Sequence, residues 1–340
     1  MSDARSSADN SFGRRRAMLR TAMGPGIAAA LSDPAVIEIM VNPDGVLRLD
    51  RLGEGRIDTG TRYDPAQIER IIRLVASHAR TEAHAAAPII SAELPPHGEG
   101  AGERFEGVLP PVSLAPCFSI RKPAARIYTL LDYVKDGIMS ANTARLLSMA
   151  VVERRNILVA GGTSSGKTTL ANALLAEMAG LDERVIIIED TRELQCAAFD
   201  VVTLRTRSVG PSGTGAVTMA DLVRSTLRLR PDRIIVGEVR GREALDMLKA
   251  WNTGHPGGIA TVHANSAAAA LYRLEQLVQE SVVTVPQRLI AEAIDMIVFI
   301  SGRGLARRVD TIARVAGLDA QGGFAVHDLT PDQTPETKGD

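Results

Sequence analysis

The chain has 340 residues, 45% of them hydrophobic, and its formal net charge at pH 7 is −1. This length and this apolar fraction predict a globular protein with two domains. A nearly neutral chain in which 3% of the residues are aromatic lacks the cationic field and the stacking side chains that nucleic-acid-coating proteins use, so the composition does not favour that class.

Targeting and redox features are few. The two cysteines, Cys117 and Cys196, lie far apart and form no CxxC pair, so the sequence encodes neither a zinc site nor a disulfide framework. No apolar run reaches the roughly 18 residues that a spanning helix needs, and the N-terminus lacks the apolar region of a signal peptide. The sequence therefore predicts a cytoplasmic protein.

The first part of the chain predicts a tail followed by a small domain. Residues 1–22 contain the run Arg14 to Arg16 and predict a disordered basic tail; a contact with an anionic membrane surface is the alternative to full solvation. Residues 23–125 predict an α+β domain. Its apolar segments and turn residues indicate a helix at 65–79 and strands at 35–41, 46–50, 104–108 and 117–121.

The pattern of apolar residues changes after a predicted linker at 126–142. From 143 to 328 apolar runs alternate with helical patterns, which predicts parallel strands joined by crossover helices. The strands are predicted at 156–160, 185–188, 233–236 and 259–262, and the helices at 168–179, 219–229 and 242–251. Two further strand-like segments, 308–315 and 324–327, precede a polar tail at 329–340.

The segment NILVAGGTSSGKTT carries the most specific motif of the chain, G-x-x-x-x-G-K-[ST]. A buried strand precedes the motif and a helix follows it, so loop amides and the helix dipole converge on a bound phosphate. Lys167 is expected to neutralise the β- and γ-phosphates, and the Thr168 hydroxyl is expected to bind Mg²⁺. The predicted binding residues are Gly161, Gly162, Thr163, Ser164, Ser165, Gly166, Lys167, Thr168 and Thr169.

Two strands end in candidate catalytic acids. The strand at 233–236 leads to Glu238, and no Asp follows before Glu243; a carboxylate there orients the attacking water or holds metal-bound water. The strand at 185–188 ends at Glu189, a candidate general base or metal-shell carboxylate, because ligands lie outside the carboxyl ends of parallel strands. Which of the two glutamates is the base stays open.

Two histidines, His255 and His263, bracket a glycine-rich turn and the strand at 259–262. Without nearby cysteines they make a poor metal signature, so we predict no zinc site. His263 emerges at the strand end, where it could sense the γ-phosphate or relay hydrogen bonds to Glu238. His255 is either a turn residue or a functional one.

Four blocks, GGTSSGKTT, IIIEDTREL, IIVGEVRG and NTGHPGGIATVHAN, resemble the Walker A, Asp box, Walker B and His box of the secretion-ATPase superfamily of hexameric traffic motors. The segments DPAVIEIMVNPDG and GERFEGVLPPVSLAPCFSIRKP resemble its type IV secretion branch, especially plasmid conjugal-transfer ATPases. The resemblance covers residues 33–300. The chain lacks the four-cysteine zinc insertion common in type II secretion relatives, which argues against that branch.

The resemblance implies an α/β fold with a RecA-like P-loop NTPase domain at 143–328 behind the smaller N-terminal α+β domain. It also implies a homo-oligomer, a six-membered ring that hydrolyses ATP with Mg²⁺. Its partners would be inner-membrane components of a secretion or conjugation apparatus, and the ring would attach peripherally from the cytoplasm. Arg104 in GERFEG and Arg121 in SIRK match the family's arginines that approach the γ-phosphate.

Three other functions fit parts of the pattern. A RecA-like nucleic-acid translocase would use a cationic path made by Arg205, Arg207, the loop 210–215, Arg224, Arg228 and Arg230. The neutral charge and scarce aromatics count against it, so we expect hydrolysis that does not require nucleic acid. A non-hydrolysing scaffold leaves the two strand-end acids without a purpose, and a small-molecule kinase leaves the first domain and the Asp and His blocks unexplained.

Overall fold

The structure is a computed structural model that describes residues 2–95, 102–123, 126–207 and 215–330, and within them all side chains except those of 2–16 and 305. The chain divides into two compact units between Ala125 and Arg126. Each unit has its own sheet.

Within its described residues, the first unit contains two helices and six strands: α1 Ser2–Ser32, β1 Val36–Val41, β2 Val46–Arg51, β3 Gly55–Arg62, α2 Pro65–Ala79, β4 Ile89–Glu93, β5 Arg104–Val108 and β6 Cys117–Arg121. The strands form an antiparallel sheet in the order β3-β2-β1-β6-β5-β4. One face packs against the two helices around a core that includes Ile39, Phe105 and Ile120. The opposite face carries the polar residues of the same strands.

Helix α2 has the bounds that the sequence predicts. Asp64 caps its first turn by accepting a hydrogen bond from the Gln67 N–H, and Pro65 follows at the first helical position. Arg80 ends it in the left-handed conformation (φ 55°). The apolar stripe predicted from the sequence is buried, and its members are Ile68, Ile71, Ile72 and Val75.

The N-terminal segment differs from the predicted disordered tail at 1–22. The backbone is helical from Ser2 to Ser32, apart from an interruption at Gly24 (φ 80°). Leu19, Met23 and Ile27 lie four residues apart and are buried in the core of the first unit. That apolar stripe is the physical reason for the helix. The Arg14–Arg16 side chains lie outside the described part, and no described helix is long and apolar enough to cross a membrane.

The second unit contains seven helices, one 3₁₀ turn and eight strands within its described residues: α3 Leu130–Lys135, α4 Ala141–Val152, β7 Ile157–Gly161, α5 Lys167–Ala176, β8 Arg184–Glu189, β9 Asp200–Arg205, α6 Met219–Thr226, β10 Arg233–Val236, α7 Glu243–Asn252, β11 Ile259–His263, α8 Ala267–Gln279, α9 Gln287–Ala293, β12 Met296–Ser301, the 3₁₀ turn Gly304–Ala306, β13 Arg308–Leu318 and β14 Phe324–Asp328.

The eight strands form one sheet in the order β14-β13-β12-β7-β11-β10-β8-β9. The six strands from β12 to β9 are parallel, which confirms the predicted alternation, and β13 and β14 add an antiparallel hairpin. Helices α3 to α5 cover one face and α6 to α9 the other. Strand β7 is fully buried, so the loop that follows it rests on a rigid element.

The predicted linker at 126–142 is instead part of the second unit. It contains α3, whose first turn is held by a capping box between Thr129 and Asp132. Tyr133 in this helix has no exposed surface and belongs to the core around α5. The breaker residues that suggested a linker, such as Gly137 (φ 68°), end this short helix rather than separate the domains.

Candidate active site

The phosphate loop joins the end of β7 to the start of α5. Ser164 (φ 61°) and Gly166 (φ 97°) adopt left-handed conformations that curl the loop. A Cβ on Gly161 would lie 2.4 Å from the Ile300 carbonyl oxygen, so this position requires glycine. No side chain caps α5 at Gly166. The amides of its first turn are therefore available to a ligand, which is the arrangement that anions favour.

Lys167 is buried at the start of α5. Its Nζ donates to the Gly162 carbonyl oxygen at 2.9 Å and lies 3.2 Å from His263 Nδ1. An ammonium group has no acceptor, so His263 Nδ1 accepts and the proton of the neutral ring is on Nε2. Burial and the Lys167 charge both lower the pKa of His263, which favours this neutral form.

Glu238 completes a chain of contacts that begins at Lys167. Strand β11 lies between β7 and β10, and its last residue, His263, is level with Gly161 of β7. His263 Nε2 lies 2.8 Å from Glu238 Oε1, and Arg240 contacts the other carboxylate oxygen. The sheet order therefore brings together three predicted site residues, Lys167, His263 and Glu238.

Glu189 has a different environment at the end of β8. Its carboxylate is buried; Oε1 accepts hydrogen bonds from the Glu193 and Leu194 amides, and Oε2 has no described partner. Burial raises its pKa to about 7, although the two amides oppose that shift. Asn172 of α5 binds the same loop through Glu193 O and Gln195 N. Glu189 and Asn172 together fix this loop beside the phosphate-loop helix.

Thr168 and Thr169 lie in the first turn of α5 and are partly exposed. Gly162, Thr163 and Ser164 are exposed, and a Cβ on Gly162 would meet nothing within 4 Å. The loop thus offers open space, free helix amides, a hydroxyl and a nearby carboxylate. These groups fit a nucleotide with Mg²⁺ held by Thr168.

Arg104 and Arg121 lie in the first unit, directly opposite each other on β5 and β6. The same row contains Glu93 opposite Arg104 and Glu38 opposite Arg121. Glu38 accepts a hydrogen bond from Ser119, and no ion pair of either arginine is found among the described residues. Like charges facing each other across a strand pair are destabilising. An anionic ligand would relieve that repulsion.

The alternative cationic path is partly neutralised. Arg224 pairs with Asp246 and Asp221, Arg205 ends the edge strand β9, and residues 210–214 of the proposed loop lie outside the described residues. His255 Nδ1 lies 3.2 Å from the Ala250 carbonyl oxygen at the end of α7, as expected for a turn residue.

Two residues of this region, Arg240 and Asn172, were not predicted from the sequence. Arg240 was visible in the run GEVRG, two positions after Glu238. Asn172 gave no signal, because an amide inside a helix of good helix formers has no special spacing.

The family model for type II/IV secretion system proteins matches residues 69–332. The chain is 48% identical over 301 residues to the conjugal transfer protein TrbB of Rhizobium radiobacter, covering 88% of this chain and 90% of that protein. It is 36% identical over 326 residues to the type IV secretion system protein PtlH of Bordetella pertussis, covering 85% and 93%. The crystal structure of the pilus retraction motor PilT with ADP is 19% identical with a TM-score of 0.57, covers 90% of this chain and 82% of that chain, and shows a shared fold.

Proposed function

Because the chain belongs to the family of type II/IV secretion system proteins, we propose that it hydrolyses ATP at the phosphate loop and thereby powers a type IV secretion or conjugal-transfer apparatus. The observation that carries this proposal is the contact chain from Lys167 through His263 to Glu238. It joins the group that holds the phosphates to the group that acts on water.

Binding uses the loop and the first turn of α5. The free amides of this turn and the helix dipole attract the phosphates. Lys167 exchanges its contact with His263 for the β- and γ-phosphate oxygens. Thr168 would hold Mg²⁺, which would help to neutralise the charge of the phosphates.

Hydrolysis uses Glu238 as the group that orients and deprotonates the attacking water. The Glu238 side chain is 20% exposed, although its Oε1 is buried beside His263 and its Oε2 contacts Arg240. Glu189 is 3% exposed, and its Oε1 is bound to two backbone amides. His263 links Glu238 to Lys167, so it is placed to report whether a γ-phosphate is present. Glu189 is a positioning residue for the loop that contains Glu193 and Leu194.

Arg104 and Arg121 supply the cations that stabilise the developing charge on the transferred phosphoryl group. Their face-to-face placement on β5 and β6, without an ion pair among the described residues, supports this role. The single variants Arg104→Ala and Arg121→Ala should each lower the turnover rate more than they weaken ADP binding, since ADP lacks the γ-phosphate.

The apparatus supplies the other partners. The relatives TrbB and PtlH are named for conjugal transfer and type IV secretion, which supports inner-membrane components of such a machine as the binding partners. The ring works from the cytoplasm, peripheral to the inner membrane. Nucleic acid is not required for hydrolysis, because the nucleotide site contains its own cations and acids.

The test is the ATPase rate of the purified protein across a concentration series, with the oligomeric mass measured alongside and single-stranded DNA added in parallel. An ATPase rate that rises with ring formation and does not change when DNA is added supports the proposal. Strong DNA stimulation of a monomer supports the translocase instead.

Lys167→Ala is the companion variant, with the exposed Lys249→Ala as the matched control. We expect Lys167→Ala to abolish hydrolysis through loss of the phosphate contact and Lys249→Ala to hydrolyse normally. Normal hydrolysis by Lys167→Ala would show that the phosphate loop is not the catalytic site.

A further inference from the structure

Arg307 packs its side chain directly on the phosphate loop. A Cβ on Gly166 would lie 2.8 Å from Arg307 Nε and 2.9 Å from its Cζ, so the guanidinium rests against the glycine backbone. The guanidinium therefore occupies the space beside Gly166 that a side chain at this position would fill. The sequence separates these two residues by more than a hundred positions, and only the sheet order brings them together.

The connection after β12 fixes Arg307 in this place. Strand β12 pairs with β7 so that Ile300 is level with Gly161, and the chain therefore leaves β12 beside the phosphate loop. A tight turn begins at Gly302 (φ 72°), and the Arg307 N–H bonds to the Gly304 carbonyl oxygen at 3.3 Å. Two residues later, the Val309 N–H bonds to the Ile138 carbonyl oxygen at 2.9 Å. The backbone on both sides of Arg307 is thus anchored.

The charge of Arg307 is uncompensated among the described residues. Its Nε is buried and has no hydrogen-bond partner there, and no acidic side chain forms an ion pair with it. Tyr133 of α3 has no exposed surface, and its hydroxyl also lacks a described partner. Burial raises the pKa of Tyr133, and the Arg307 charge opposes that rise. The two groups therefore interact electrostatically. Buried polar groups without partners are rare and indicate a missing ligand or water.

The strand order determines which end of a nucleotide Arg307 can reach. Glu238 and His263 follow β10 and β11, on one side of β7, and they act at the γ-phosphate. Arg307 follows β12, on the other side of β7. Loop amides and the first turn of the helix hold the α- and β-phosphates. The group nearest Arg307 is therefore the part of the nucleotide that points away from the reacting phosphate.

We infer that Arg307 is a nucleotide-binding residue that donates to the α-phosphate of ATP and ADP alike. A guanidinium presents a rigid fork of N–H donors that matches phosphate oxygens. This inference rests on the proposed function, since it requires that the loop binds a nucleotide. It separates Arg307 from Arg104 and Arg121, whose proposed contact is the γ-phosphate.

The test compares Arg307→Gln and Arg307→Lys with Arg308→Gln. Arg308 is the adjacent residue, with an exposed side chain that pairs with Asp310, so its variant controls for loss of one positive charge in this turn. Equilibrium binding of ADP, a non-hydrolysable ATP analogue and inorganic pyrophosphate is measured for the full-length proteins. Thermal melts show whether each variant folds.

We expect Arg307→Gln to weaken ADP and the ATP analogue equally, by a factor on the order of ten to a hundred, as for loss of a charge-assisted hydrogen bond. Pyrophosphate, which has no counterpart of the α-phosphate once it occupies the β and γ positions, should bind with unchanged affinity. In steady-state assays Arg307→Gln should raise KM by a larger factor than it lowers kcat. Arg307→Lys should recover part of the affinity, and Arg308→Gln should behave like the unmodified protein.

Two results would overturn the inference: ADP affinity of Arg307→Gln equal to that of Arg308→Gln, or a loss confined to the ATP analogue. A variant that melts well below the unmodified protein is replaced by Arg307→Lys, for which the same comparison decides. Failure of the proposed function looks different, because the unmodified protein would then bind neither nucleotide and Lys167→Ala would change nothing.

Discussion

Two neighbouring strands of the second unit, β8 and β10, each deliver a glutamate to the same edge of the sheet, and the surroundings of the two carboxylates differ. Glu189 is 3% exposed and receives two backbone amides, and burial raises its pKa to about 7. Glu238 has a side chain that is 20% exposed and contacts His263 and Arg240. Both glutamates follow parallel strands at the sheet edge where the phosphate loop lies. The difference between their surroundings underlies the proposal that Glu238 acts on water.

Of the variants that test this difference, Glu238→Gln should cause the largest loss of activity. The amide cannot take a proton from water, so we expect kcat to fall by about 10²–10⁴-fold, while ATP binding is retained through Lys167 and the loop. Single-turnover hydrolysis and equilibrium ATP binding measure the two properties separately.

Glu189→Gln is the matched variant for that experiment. Its amide oxygen can still accept from the Glu193 and Leu194 N–H groups, so we expect kcat to change by less than about tenfold. The assignment is reversed if Glu189→Gln stops turnover and Glu238→Gln does not.

Stability as a function of pH gives the next largest effect. As the pH rises, the Glu189 carboxyl group loses its proton at about pH 4.5 in the unfolded chain. In the folded protein it keeps the proton until about pH 7, because its pKa is raised. The unmodified protein should therefore lose about 3 kcal/mol of stability across this window. Glu189→Gln should lack that loss.

Urea unfolding of both proteins between pH 5 and pH 8 measures this difference. Glu153→Gln, which removes an exposed carboxylate paired with Arg155, serves as the control. Its free energy of unfolding should change with pH as that of the unmodified protein does. Parallel pH profiles for Glu189→Gln and the unmodified protein would contradict a neutral, buried carboxyl group at this strand end.

His263→Ala should lower activity far less than Glu238→Gln does. It breaks one link between Lys167 and Glu238 and leaves the proposed base in place, so we expect kcat to fall by about tenfold, the value of one hydrogen bond. The ratio of ATP to ADP affinity should also move toward one. An unchanged ratio, measured by equilibrium binding, would show that His263 does not report the γ-phosphate.

Much of the fold could be predicted because the sequence carries strong local signals. The bounds of α2, β5, β6 and β10 agree with the predictions, since each has turn residues or prolines at its ends and a clear apolar pattern. The family prediction is confirmed by the family model and by the relatives. The phosphate loop needed only its motif and the strand and helix around it.

Other elements were missed for identifiable reasons. Strand β3 is polar and exposed along nearly all of its length, so it has no apolar alternation. Helix α1 does carry a readable stripe at Leu19, Met23 and Ile27, but the charged residues before it suggested a tail. The contacts of Lys167 with His263 and of Gly166 with Arg307 depend on strand order, which a single sequence does not specify.

The contact between Lys167 and His263 also affects how much ATP the enzyme needs. A lysine that already has a good partner must release it before it can hold a phosphate, so the measured dissociation constant is the intrinsic one raised by that competition. With one hydrogen bond at stake, worth about 1 kcal/mol, the increase is several-fold. A site that binds slightly less tightly than it could is suited to a motor that must empty on every cycle.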